Sequence, residues 1–258
     1  MNAVGIIAAR MASTRFPGKP LARLRGIPML GHVYFRSRIA RGVDDIWIAT
    51  CDQAILDYAS SIGANAVLTR DTHERATDRI AEALPYIEER TGKRIDIALL
   101  IQGDEPLLVP AMLDELVEPM RNAGVPTANL ISRIIHAEEF EDPNTVKVVR
   151  DQNGYALYLS REPIPSRRKY SAPVPMWKQL GLIGFTRSAL LEYTMLPATP
   201  LEQIESVDMN RLLEHGLRIL MIETSHQTSA VDSPQDLSRV EALMASDGIV
   251  QSYLQRFE

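Results

Sequence analysis

Residues 4–21 read VGIIAARMASTRFPGKPL. Residues 4–9 are a short apolar run of the kind that forms a buried parallel strand. No solvated turn follows. The chain passes directly into Arg10, Arg15 and Lys19, with Gly18 and small residues between them. Pro17 and Pro20 keep this segment out of a helix. Three cations on a backbone with few obstructing side chains suit a polyanion such as a nucleoside triphosphate. Guanidinium forks take phosphate oxygens in pairs, and an ammonium adds a compact charge. A solvated basic loop is the competing reading, but a place directly after the first strand of an α/β pattern, where ligands collect, favours the polyanion. Neither G-x-x-x-x-G-K-[ST] nor G-x-G-x-x-G is present, so this is not a Walker or dinucleotide loop.

Outward from this stretch, strand and helix alternate. Helical spacing covers residues 28–40, a strand 46–50, a helix 54–62, a short strand 64–68, an amphipathic helix 80–90 and a strongly apolar strand 95–101. Asp52 is placed to cap the second helix. The expected fold is therefore α/β, a doubly wound, mostly parallel, Rossmann-like sheet. After a helix over 111–122, short β-type runs at 127–135, 145–150 and 155–160 are split by turn signals. A proline-marked loop carries Arg167, Arg168 and Lys169. A strand over 179–186, a helix over 201–215, a strand over 217–222 and a final helix capped at residues 231–234 complete the chain. No repeat or linker interrupts it, so residues 1–258 read as one domain, with a β-rich insertion over about 127–186.

The 258 residues are 45% hydrophobic and carry a formal charge of -5, which argues against nucleic acid as a partner. No run reaches the roughly 18 apolar residues of a membrane span, and Arg10 interrupts the first apolar run too early for a secretory leader. A single cysteine, Cys51, excludes an internal disulfide and fits a reducing compartment. A cytoplasmic protein without membrane contact is expected.

Chemistry-bearing residues gather at strand ends. Asp104 ends the most apolar strand, with Gly103 leaving room for close approach and Glu105 adjacent. Asp232 follows another apolar-to-polar switch. Two such carboxylates could share a Mg²⁺, which takes one or two carboxylates together with substrate phosphates. A turn former before Pro106 and a helix cap are the respective alternatives. In HERATDR, residues 73–79, Thr77 is either a base contact or an N-cap. Arg161 follows a strand and either meets an anionic acceptor or lies on the surface. No Ser-His-Asp triad and no zinc spacing is found.

The stretches AARMASTRFPGKPL, IQGDEPLL, NTVKVV, GYALYLSREPIP, PLEQIE and VDSPQDL, in this order, resemble the CMP-Kdo synthetases, the 3-deoxy-manno-octulosonate cytidylyltransferases, over nearly the whole chain. The resemblance implies a CTP-dependent cytidylyltransferase that releases pyrophosphate and forms a homodimer, partly through the β insertion. By the same resemblance, Arg10, Arg15 and Lys19 hold the CTP phosphates, and Asp104 and Asp232 hold Mg²⁺. Ala8, Ala9, Arg75, Thr77, Gln102 and Gly103 line the nucleotide, while Gln102, Arg161, Gln179, Ile183 and Asp208 lie toward the acceptor.

The chain departs from the family where a His-Leu-Gly-Ile-Tyr-Gly-Tyr strand becomes Gln179-Leu180-Gly181-Leu182-Ile183-Gly184-Phe185. A Glu-Gln pair becomes Asp208-Met209, and a Ser-Gly becomes Arg75-Ala76. Lost polar groups would reward a polyhydroxylated sugar poorly. The reading drawn from them is CMP transfer to an altered acid, either a Kdo-like 2-keto sugar acid or a phosphonate such as phosphonoformate. Arg75 and the Arg167–Lys169 run are available for extra negative charge. Authentic CMP-Kdo synthesis and a CTP-binding regulator without turnover are the alternatives.

Overall fold

Alternation in the sequence becomes alternation across a sheet. The computed structural model describes residues 1–12 and 16–254. Its first half comprises β1 (Ala3–Ala9), the small pair β2 (Arg23–Leu24) and β3 (Ile27–Pro28), α1 (Met29–Ser37), β4 (Asp45–Thr50), α2 (Gln53–Ser61), β5 (Asn65–Leu68), α3 (Ala76–Thr91), β6 (Ile97–Gln102) and α4 (Pro110–Ala123). The second half adds β7 (Thr127–Arg133), α5 (Ala137–Glu141), β8 (Lys147–Arg150), β9 (Ala156–Ser160), β10 (Trp177–Thr186) and α6 (Arg187–Met195). It ends with α7 (Pro200–Glu205), α8 (Met209–Glu214), β11 (Leu220–Thr224), α9 (Pro234–Met244) and α10 (Gly248–Leu254).

The central sheet has the order β11-β7-β10-β6-β1-β4-β5. β6, β1, β4 and β5 run parallel, as do β7 and β11, and β10 is antiparallel between β6 and β7. Two-residue periodicity sends successive side chains to opposite faces. Val4 and Ile6 of β1 and Ala98 and Leu100 of β6 join a core shared with α3, α6 and α8. Ala3 and Ile7, with Ile97, Leu99 and Ile101, join the core of the other face under α1, α2 and α4. Burial on both faces explains why these strands read as continuous apolar runs. Among the described residues, no helix is long and apolar enough to cross a membrane.

Five expectations change. The β-rich stretch over 127–186 is largely central sheet, because β7 and β10 pair there and only the β8–β9 hairpin stands off, joined to the start of β10 at Trp177 and Lys178. The single helix over 201–215 is two helices, α7 and α8, broken at Ser206, whose φ of 51° is left-handed. Arg161 stabilises the break, donating from Nε to Glu205 O at 2.6 Å and from Nη2 to Ser206 O at 3.3 Å. Asp52 stands at the N-cap of α2 but caps nothing there. Its carboxylate accepts the Met11 N–H at 2.8 Å and so ties the start of the basic segment to β4. The last strand begins later than expected, and the extra helix α10 follows α9.

The hairpin is fastened by a buried lysine. Lys147 is fully buried and donates from Nζ to the carbonyls of Asp142 and Thr145 at 2.8 Å and of Arg161 at 2.5 Å. Lys147→Met would strand those three acceptors. A loss of about 3 kcal/mol is expected, read as a lower urea midpoint at unchanged m-value.

Candidate active site

The C-terminal ends of β1 and β6 open into a cleft of about 430 Å³, where an open α/β sheet collects ligands. Ala8, Ala9 and Arg10 form its floor from β1, and Gln102, Gly103 and Asp104 form it from β6. Gly103 is needed for the close approach of these two strand ends: a Cβ there would lie 3.1 Å from Ala8 O and 3.4 Å from Ala9 Cβ. One wall is the start of α3, with His73, Arg75 and Arg79. Another is the turn between α7 and α8, with Ser206 and Asp208, and Asp232 enters before α9.

Lys19 sits at the charged end. It lies in a single 3-10 turn, Lys19–Leu21, entered through Gly18 in the left-handed region at φ 75°. Its Nζ is 2.8 Å from Asp104 Oδ2 and 3.3 Å from Asp232 Oδ1. The two carboxylates are held together from behind, since the Val231 N–H donates to Asp104 O at 3.0 Å. Asp104 Oδ1 is buried without a hydrogen-bond partner. Asp104 and Asp232 thus come together as the sequence suggests. The N-cap of α9 is Ser233 rather than Asp232. Arg10 is exposed on the floor and reaches the His73 carbonyl at 3.5 Å. The expected phosphate ligand Arg15 lies outside the described residues.

The far wall is a chain of charged contacts. Arg75 occupies the N-cap position of α3. Its Nε lies 3.4 Å from Glu202 Oε1, and Nη1 donates to Ser206 Oγ at 3.2 Å. Glu202, almost fully buried, also takes a two-pronged pair from Arg211 at 2.7 and 2.6 Å. Burial pushes the Glu202 carboxyl up, but its bonds to Arg211 and the other donors outweigh that and hold it below the ordinary range. Thr77 is neither a cap nor part of the lining. It is buried inside α3 and donates from Oγ1 to Asp208 Oδ2 at 2.7 Å, which steadies Asp208 at the cleft. Thr77 therefore reaches the cleft only through Asp208.

Three residues expected toward the acceptor do not line the cleft. The Arg161 guanidinium donates to the carbonyls of Glu205, Pro143 and Ser206 and does not line the cleft. Gln179 donates from Nε2 to Asn129 Oδ1 at 2.6 Å. Ile183 is buried in the core of the α3 face, as is Met209. Conversely, Ser206 lines the cleft because α7 breaks there, a break the sequence signals only weakly. Arg79 lines it from a helix face that periodicity assigns to the core, with Nη1 donating to Thr69 Oγ1 at 2.6 Å. Glu105 is turned away: burial raises its pKa, the Gly181 N–H it accepts opposes this, and the neighbouring Asp104 charge raises it further.

The arrangement sets cations beside two carboxylates that already share one of them, a setting that suits a polyanion. A sequence model of the Cytidylyltransferase family matches residues 4–219. The chain belongs to the cytidylyltransferase family. It is 42% identical over 251 residues to the 3-deoxy-manno-octulosonate cytidylyltransferase of Geobacter sulfurreducens, covering 93% of this chain and 98% of that protein. It is 43% identical over 241 residues to the protein of that name from Solibacter usitatus, covering 93% of each. Among solved structures it resembles CMP:2-keto-3-deoxy-manno-octonic acid synthetase complexed with CTP, with a TM-score of 0.86 and 37% identity over 95% of this chain and 99% of that one. A cytidylyltransferase from Leptospira borgpetersenii shares the fold at a TM-score of 0.62 and 16% identity, over 97% of this chain and 90% of that one. This cytidylyltransferase is a CTP-dependent nucleotidyltransferase.

The residue before Ser206 should titrate. Glu205 accepts hydrogen bonds from Tyr158 OH, Ser160 Oγ and the Arg161 N–H at 2.8, 2.7 and 2.8 Å. Burial pushes its carboxyl up, but these donors outweigh it, so the pKa is lowered from 4.5. A carboxylate lowered on folding stabilises fully above its unfolded pKa and progressively less as pH falls through the folded value. Glu205→Gln should therefore flatten the acid limb of a plot of urea midpoint against pH below about 4.5.

Proposed function

We propose that this enzyme transfers CMP from CTP to 3-deoxy-manno-octulosonate and releases pyrophosphate. The full-length likeness to cytidylyltransferases named for that acid supports this reading, as does the likeness to a synthetase solved with CTP. The observation that carries it against a rebuilt acceptor pocket is the burial of Ile183 and Met209 in the core. Both are apolar side chains buried beneath the cleft rather than lining it, so they offer no new polar group to a phosphonate acceptor.

In this reaction an acceptor hydroxyl oxygen bonds to the α-phosphorus, the hydroxyl proton is lost, and the bond to the bridging oxygen breaks with its electron pair leaving on pyrophosphate. Charge gathers on phosphate oxygens, so positioning and electrostatics carry the rate. Arg10 and Lys19, which line the cleft at the ends of β1 and β6, meet this need, with Ala8, Ala9 and Gly103 allowing close backbone approach. Asp104 and Asp232 fit Mg²⁺: they already converge on one cation, and the unpartnered Asp104 Oδ1 is a buried oxygen suited to a metal. Bound there with the triphosphate, the ion would offset the developing charge. Lys19, freed from the carboxylates, would have phosphate oxygens as its replacement partners. A homodimer and a cytoplasmic setting belong to the same reading.

The test is pyrophosphate release with CTP and Mg²⁺ against Kdo, other 2-keto sugar acids and phosphonoformate. Kdo should be the best acceptor, with turnover abolished by EDTA and restored by Mg²⁺. Asp104→Asn and Lys19→Ala should each lower kcat/KM about a hundredfold or more. Turnover confined to a phosphonate would overturn the acceptor, and CTP binding without turnover would leave a regulator.

A further inference from the structure

β10 does not pass the cleft as a regular strand. Its pairing with β7 shifts register between Gln179 and Ile183, and such bulges re-aim the chain beside functional sites. On its other edge Leu182 pairs with Ile101, which brings Gly181 against Gln102. A Cβ on Gly181 would lie 2.8 Å from Gln102 Cγ, 2.9 Å from Gln102 Cδ and 2.8 Å from Glu105 Oε1. Only glycine leaves the Gln102 side chain where it is.

Two buried polar groups hold this irregular segment. Glu105 accepts the Gly181 N–H through Oε1 at 2.9 Å. Asn129, fully buried, donates from Nδ2 to the carbonyls of Leu180 at 2.9 Å and Leu182 at 3.0 Å, on either side of the glycine. Its Oδ1 accepts Gln179 Nε2 at 2.6 Å. A carboxylate and an amide thus replace the ladder bonds that a bulge forfeits.

The strand order assigns this device an end of the cleft. Arg10 and Lys19 follow β1, which lies between β6 and β4. β10 lies on the opposite side of β6, one strand spacing of about 4.8 Å beyond Gln102. We propose that Gly181, Glu105 and Asn129 are positioning residues that set Gln102 at the acceptor end, and so fix how the sugar acid meets the α-phosphate. This rests on the sugar-acid reading above.

The experiment measures acceptor KM by pyrophosphate release and CTP Kd by calorimetry without acceptor. The acid used is the one the wild-type enzyme turns over, so a different acceptor would correct the reading above without touching this test. Gly181→Ala is expected to raise acceptor KM about tenfold or more, with CTP Kd unchanged. Glu105→Ala should follow the same pattern, and Glu105→Gln, which keeps an oxygen for the Gly181 N–H, should recover most of the loss. Should Gly181→Ala not fold, the two Glu105 variants decide alone. Unmoved acceptor KM, CTP affinity falling in step with it, or Glu105→Gln no better than Glu105→Ala would overturn the proposal.

Discussion

One ammonium shared by two carboxylates orders this cleft. Lys19, Asp104 and Asp232 are separated by 85 and 213 residues, yet they meet within 3.3 Å. Two adjacent carboxylates repel one another unless a cation lies between them. Lys19 supplies that cation, and the Val231–Asp104 backbone bond fixes the spacing. Parts of the chain that share no local structure are thereby committed to one charged end, next to Arg10 on the floor.

A second set of charges shapes the opposite wall. Glu202 is buried, so a lone charge there would be costly, and it is met by Arg211 from one side and Arg75 from the other. Arg75 comes from the loop before α3, and it reaches across to Ser206. It therefore couples the start of α3 to the α7–α8 turn. Arg161 serves the same turn from below, its guanidinium satisfying the carbonyls that the break in the helix exposes.

The sheet was legible because its strands are apolar on both faces and the helices between them repeat at helical spacing. Residues 97–101 could be nothing but a buried strand. That Arg10, Lys19 and Asp104 gather at one strand-end site was legible too, since prolines, glycine and clustered cations at a strand end leave few readings. Thr77, Ile183 and Gln179 were not. A threonine at a helix start, an isoleucine in a strand and a glutamine before a glycine look the same whether they face a ligand, the core or a buried asparagine.

The sequence by itself determined the α/β class, the cations after β1, the carboxylate at the end of β6 and the kinship with the cytidylyltransferases. All of these follow from local periodicity, local charge and ordered motifs. Only the tertiary structure decided that Asp232 shares Lys19 with Asp104, that the helix over 201–215 breaks to present Ser206 and Asp208, and that β10 bulges against Gln102. Each of these depends on where a distant backbone group or charge ends up, and a one-dimensional pattern carries no record of what packs against it.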